Sequence, residues 1–335
     1  MKWPEKYFVR YHHFAKFKKI KKVNFMTIQG LIPATLTPFN SAGAIDHQAL
    51  SKHITTVGAA TGLYGIAVNG HAGEILALND DERQAVISTA RSAMPPGLKL
   101  IAGIQASSID GLVRQGLRAR DAGADMLLVI PPFDVRVYRH LSHNVEAVFH
   151  VFQRLDKEVA LPMVVFQYPE PSGCAYSLDA LESIAALDHV VAIKASSGTP
   201  AKYAELHDRL ANKLALLPAA DSPSLLGMLL HGAPGSLIGI SVIGTQHWSD
   251  LVFEATRGNA QRAKEIHNSF AVPLMRSIFE YHMHWTATCP FGATKEALVQ
   301  MGQFSSSWVR PPSVLVNEHK KIDIRNGLIQ AGLLK

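Results

Sequence analysis

The chain has little cysteine. Cys174 and Cys289 are the only two in 335 residues, and they stand in no Cys-x-x-Cys spacing. That excludes a disulfide framework and a thiolate metal site, and it suits a reducing, cytoplasmic setting. Long apolar runs are also missing; none approaches the length of a membrane span. No Gly-x-Gly-x-x-Gly turn follows the first apolar run, which weakens an open dinucleotide-binding sheet. Outside its first residues the chain lacks a charge of one sign. Residues 1–25 carry Lys2, Lys6, Arg10, Lys16, Lys18, Lys19, Lys21 and Lys22 against Glu5 alone, a balance of +7. The whole chain is +6, so the remainder stands at −1. A near-neutral body has no sustained basic face to collect phosphates, which excludes nucleic acid as its partner. The basic tail mixes aromatics with lysines and lacks the apolar core of a secretory signal. It reads as a disordered extension before Met26, with a membrane-surface contact as the alternative.

What is present is ample apolar material, 47% of residues, in a recurring order. From Gly30 onward short apolar runs alternate with amphipathic stretches. Strands are expected at Ile32–Thr37, Tyr64–Val68, Lys99–Ile104, Asp125–Ile130, Pro162–Gln167, Val190–Lys194, Leu214–Ala219 and Ser236–Ile240. Helices are expected near Asp80–Ala93 and Ile109–Ala122. The runs are continuous rather than alternating, as in parallel strands buried on both faces. Eight such units predict an α/β fold, a closed (β/α)8 TIM barrel. After about Asn259 the β pattern stops. Helices are expected near Ala260–Tyr281, near Thr294–Met301, with Pro290 at or before its start, and after Pro311-Pro312. The expected organisation is a tail over 1–25, a barrel over 26–257 and a C-terminal helical appendage over 258–335.

Chemistry in such a barrel lies at the C-terminal ends of its strands. The second strand runs into Asn69-Gly70-His71-Ala72-Gly73-Glu74, the fifth ends Phe166-Gln167-Tyr168-Pro169, and the sixth ends in Lys194. Lys194 follows Val190, Val191, Ala192 and Ile193. Burial at the end of such a run lowers an amine pKa, and a neutral amine attacks carbonyl carbon. Position alone favours a lysine that snorkels to the rim or pairs with an acid; only the neighbouring motifs turn the reading toward chemistry.

The ordered motifs resemble the family of N-acetylneuraminate lyase and dihydrodipicolinate synthase over roughly residues 28–305. Gly30-Leu31-Ile32-Pro33-Ala34 through Thr37-Pro38-Phe39 resembles the opening strand. Gly70-His71-Ala72-Gly73-Glu74 is similar to Gly-Thr-Thr-Gly-Glu, and Phe166-Gln167-Tyr168-Pro169 with Gly173 to Tyr-Asn-x-Pro…Gly. Ala192-Ile193-Lys194 resembles Gly-Ile-Lys, and Gly232-Ala233-Pro234-Gly235 resembles Gly-Ala-x-Gly. The resemblance implies a class I lyase or aldolase in which Lys194 forms a Schiff base with a small carbonyl substrate, usually a 2-oxo acid such as pyruvate. It also implies a homo-oligomer, a tetramer or dimer. The imine is itself the electron sink, so neither metal nor organic cofactor is expected. His282 and His284, two residues apart, cannot share one helix face as ligands.

Departures from the pattern are equally informative. Phe166 stands where the family has a tyrosine that relays protons. His71 and Ala72 replace the two threonines, Phe133 aligns with an aromatic often tyrosine, and Pro171 aligns with the arginine that reads a diacid. Dihydrodipicolinate synthase activity is therefore not expected. His71 titrates near neutral pH, and Tyr168, two residues past Phe166, falls on the same side of the strand. His71 and Tyr168 are the expected acid/base pair beside catalytic Lys194. Gly70, Ala72, Gly73, Phe133, Phe166, Gln167, Gln105 and Ser196 are the expected substrate-binding positions. Glu74 is expected to accept backbone N–H groups at a turn, and Asp221, in Asp221-Ser222-Pro223, to cap a helix. The alternative is a catalytically silent barrel that binds a metabolite and regulates a partner.

Overall fold

The computed structural model describes residues 28–132, 138–279 and 290–335. The basic tail, Phe133, His282, His284 and Cys289 lie outside the described residues.

Eight parallel strands form the barrel. They are β1 (Gly30–Pro33), β2 (Gly65–Val68), β3 (Lys99–Ile104), β4 (Met126–Val129), β5 (Met163–Gln167), β6 (Val190–Ala195), β7 (Ala215–Pro218) and β8 (Gly235–Ile238). β2 to β7 pair in sequence order, and β1 pairs with β8. Isolated parallel bridges at Leu31/Leu63 and Ala34/Ala67 join the two arcs on one side. Ser236 Oγ donates to Pro218 O at 2.8 Å on the other. Strands β2, β4 and β8 are buried at every residue, as continuous apolar runs require.

The first expected strand was placed two residues late. β1 pairs with β8 only through Pro33, and beyond it the threonine hydroxyls turn to backbone. Thr35 Oγ1 donates to Ala67 O and Thr37 Oγ1 to Gly73 O. The last strand stops at Ile238 because Ile240–Val242 winds into a 3-10 turn.

Helices α1 (His47–Gly58), α2 (Asp80–Ala93), α3 (Ile109–Asp121), α4 (Val145–Glu158), α5 (Leu178–Ile184), α6 (Pro200–Leu210), α7 (Leu225–Leu230) and α8 (Thr245–Thr256) wrap the strands. α2 begins at a full capping box, with Asn79 and Glu82 each holding the other's amide. Four further helices follow: α9 (Ala260–Ile266), α10 (Val272–Phe279), α11 (Pro290–Gln300) and α12 (Glu318–Gln330). The expected single helix from Ala260 is broken by a π turn at His267–Ala271. Pro273 explains the break. It has no N–H for the helical ladder, and its ring would crowd a regular preceding turn.

Candidate active site

The turn after β2 builds one wall of the site. Asn69 sits at φ 53 and Glu74 at φ 55, so both ends of the turn are held in the left-handed region. The Asn69–Gly70 peptide crosses β3 so closely that a Cβ on Gly103 would lie 1.8 Å from Asn69 O; only glycine fits there. Glu74 N donates to His71 O at 2.9 Å and Ile75 N to Gly70 O at 3.3 Å. Among the described residues the amides of Ala72 and Gly73 have no hydrogen-bond partner.

Glu74 does more than accept amides at a turn. Its Oε1 takes a hydrogen bond from Lys295 Nζ, in α11, and both side chains are essentially fully buried. Lys295 also donates to Trp308 O at 2.9 Å, and Arg310 N donates to Glu74 Oε2 at 3.4 Å. The Arg310 guanidinium forks onto both oxygens of Glu82 at 2.8 and 2.6 Å. Lys295 and Arg310 both lie over the Phe39 ring. The C-terminal helical region is thus bolted to the turn that carries His71.

The opposite wall comes from β5 and β6, where Phe166 pairs directly with Lys194 across the ladder. This register places the ammonium 3.9 Å from the Phe166 ring centroid. Lys194 is 8% exposed, and among the described residues its Nζ has no hydrogen bond or ion pair. Burial lowers its pKa to about 8, while the nearby Asp221 carboxylate pulls the other way. Asp221 was expected to cap a helix. Instead α7 starts after Ser224, and Asp221 Oδ1 accepts from Ile240 N at 3.0 Å. The amides at the end of the eighth strand orient this carboxyl better than its own short helix can. Burial pushes its pKa up, opposed by those amides and by Lys194.

His71 and Tyr168 meet between the two walls. His71 Nε2 lies 2.5 Å from the Tyr168 hydroxyl. Phe166 and Tyr168 stand on one face of the strand with ring centroids 4.8 Å apart, and the His71 ring is 5.1 Å from Phe166. Burial, then the charge of Lys194, lowers the His71 pKa to about 4, so the imidazole is neutral at pH 7. Lys194, His71, Tyr168, Phe166, Ala72 and Gly73 therefore gather at one strand-end cluster.

Other expected positions are engaged elsewhere. Both ends of the Gln167 amide are taken by the Tyr176 backbone, at 2.9 and 3.0 Å, so Gln167 braces a loop instead of facing a substrate. Gln105 gives its backbone N–H to Gln115, and its own Oε1 is buried without a partner among the described residues. Ser196 donates its amide to Gln167 O. Asp221 beside the amine, and Lys295 and Arg310 behind the turn, were not anticipated in these places. Asp221 was findable, because it lies just past the C-terminal end of β7. Lys295 and Arg310 act across more than 200 residues, and no local pattern marks them.

Comparison with known proteins places this geometry. The model of the dihydrodipicolinate synthetase family matches residues 27–331. A 4-hydroxy-tetrahydrodipicolinate synthase of Bartonella bacilliformis is 26% identical over 309 residues, covering 92% of this chain and 99% of its own length. The crystal structure of a chloride-inhibited dihydrodipicolinate synthase from Acinetobacter baumannii complexed with pyruvate is 26% identical. It has a TM-score of 0.77 and covers 92% of this chain and 100% of that one. The Aquifex aeolicus dihydrodipicolinate synthase superposes with a TM-score of 0.80 at 24% identity, over 91% and 98% of the two chains. The chain belongs to the dihydrodipicolinate synthetase family and is, with its members, a barrel enzyme of the lyase and aldolase class.

Proposed function

We propose that Lys194 forms a Schiff base with a 2-oxo acid or related carbonyl compound, and that His71 and Tyr168 move the protons. The observation that carries this reading is the buried Lys194 amine, held at a pKa of about 8 with its nitrogen otherwise unengaged among the described residues. At pH 7 about 9% of such an amine is neutral, against about 0.03% at the ordinary lysine value. Neutral Lys194 adds to the carbonyl carbon, and the carbinolamine loses its hydroxyl as water to leave C=N. Tyr168 supplies the proton for that water. His71, as the Nε2–H tautomer, donates to the Tyr168 oxygen and steadies the phenolate left behind. The phenolate then takes a proton from the imine's neighbouring carbon or from a substrate hydroxyl, and the imine accepts the electron pair.

The amides of Ala72 and Gly73 suit the substrate carboxylate. The rings of Phe166 and Tyr168, with Pro171 in place of an arginine, favour an apolar or aromatic acceptor over a diacid. For the same reason the reading is a lyase or aldolase other than dihydrodipicolinate synthase. A dimer or tetramer in the cytoplasm accompanies this proposal on the family resemblance.

The missing relay hydroxyl at Phe166 favours a second reading, a silent barrel that binds a metabolite. Borohydride reduction with pyruvate, glyoxylate and aromatic aldehydes, read by intact mass, separates the two. One adduct per chain is expected, and none in Lys194→Ala. Failure of every carbonyl compound to add, in protein that still binds one of them, refutes the imine and supports the silent barrel.

A further inference from the structure

The opposite end of the barrel carries a group of side chains that the chemistry at Lys194 does not use. His207 lies in the last turn of α6, Asp208 follows it, and His231 caps the C-terminus of α7. These helix ends feed β7 and β8 at their N-terminal ends, whereas Lys194 stands near the C-terminal end of β6. The two faces of a (β/α)8 barrel are separate in role, and this is the face away from the chemistry.

We propose that His207, His231 and Asp208 form a binding site for one divalent transition cation of the zinc class. One ligand atom from each, two imidazole nitrogens and a carboxylate oxygen, lies within 4.8 Å of the other two. The two imidazoles approach edge to face with centroids 5.0 Å apart. Among the described residues no hydrogen bond or ion pair engages the side chain of any of the three, although other exposed acids around the barrel, such as Asp81, Asp179 and Glu182, pair with arginine or lysine. The backbone is shaped to this approach. Gly232, at φ 100, lies so close that a Cβ there would stand 3.2 Å from His207 Nε2. The turn after α7 therefore closes onto the His207 ring.

Two imidazoles and one carboxylate suit zinc or a similar borderline cation, and are poor ligands for calcium or magnesium, which prefer oxygen. Tetrahedral zinc at about 2.0–2.1 Å from each ligand sets the ligands about 3.3 Å apart. Asp208 and His231 are exposed, so rotation of their side chains is free to close the remaining gap. Water fills the fourth position. An open cleft of about 310 Å³, lined by His207, Lys213, Gly232 and Pro234 among others, gives the cation its way in. A bound cation would clip α6 to the end of α7 and stabilise the native chain, since the unfolded chain does not hold these residues together. The site departs from the expectation, drawn from sequence, of no metal.

The test titrates the full chain with cobalt(II) and with zinc, reading the visible cobalt spectrum and the thermal midpoint. The comparison variants are His231→Ala, Asp208→Asn and the two combined. One equivalent of cobalt is expected to give bands of a low-coordinate nitrogen and oxygen site, and zinc is expected to raise the midpoint. Affinity should fall by about 10–100-fold or more in each variant, with imine formation at Lys194 unchanged. Equal affinity and stoichiometry in wild type and the double variant would place the bound metal on other histidines and overturn the proposal. Absence of any spectral or thermal response at millimolar metal would overturn it as well. Neither readout depends on turnover, so the site stands or falls apart from the proposed reaction.

Discussion

Replacing Lys194 by methionine should stabilise the protein while abolishing the proposed imine. The argument runs through proton linkage. Lys194 sits beside an aromatic face with little water, and its pKa falls from 10.5 to about 8. The unfolded chain keeps the ordinary value, so between these limits it binds more protons than the native chain, and native stability rises with pH. The cost of holding the lysine is complete below pH 8 and disappears as pH passes 10.5. Each pKa unit is about 1.4 kcal/mol, which makes the cost about 3 kcal/mol at pH 7, about 2 at pH 9 and about 1 at pH 10. Methionine has a similar unbranched length, fills the same space and carries no charge to desolvate. Urea denaturation of wild type and Lys194→Met at these three pH values measures the difference directly. Ionisable groups that do not interact with Lys194 cancel in it, and His71 stays neutral across this range. The expected result is a gain of about 2–3 kcal/mol at pH 7 that shrinks steadily toward pH 10. A methionine variant no more stable than wild type at pH 7, or one whose advantage does not change with pH, refutes the depressed pKa and the case for a neutral amine.

Two further outcomes follow from the walls of the site. Tyr168→Phe removes the hydroxyl 2.5 Å from His71 Nε2 and leaves the edge-to-face ring contact with Phe166. Turnover should fall about 10²–10⁴-fold while the borohydride adduct on Lys194 still forms; turnover within threefold of wild type would remove Tyr168 from the relay. Lys295→Met strands the buried Glu74 carboxylate and should cost about 3–5 kcal/mol in denaturation, most of it recovered when Glu74→Leu is added. Additive losses in that double-mutant cycle would show that the pair is not coupled.

The barrel was legible because each strand is an apolar run buried on both faces, a signal that survives without any alignment. Its errors fell where hydrogen bonds, not hydropathy, decide the ends. Thr35 and Thr37 look like strand residues but spend their hydroxyls on Ala67 and Gly73. The helix from Ala260 reads as continuous until the missing N–H of Pro273 is set against the π turn before it. In the site, Lys194, His71 and Tyr168 were singled out at strand ends with the help of the family resemblance, and the fold brings their side chains into one cluster. Asp221 was misread because Asp-Ser-Pro is a good local cap pattern, and a cap is weaker than two amides delivered by the turn after β8. The Glu74–Lys295 pair could not be read at all, since its partners are 221 residues apart.

One departure from the family pattern explains the shape of the rest. Phe166 faces Lys194 across the ladder, where the family's tyrosine would be closest to the amine. The nearest phenol on the same face of β5 is Tyr168, two residues and about 6.6 Å further along the strand. A donor moved that far toward the mouth needs a second group to hold it over the site. His71 occupies that place, neutral and in contact with the Tyr168 hydroxyl. The ring left at Phe166 meanwhile attracts the ammonium through its face and keeps water from it. Burial outweighs the pull of Asp221, and the lysine pKa falls. Under the proposed function, His71 with Tyr168 is the complement that loss of the old relay requires.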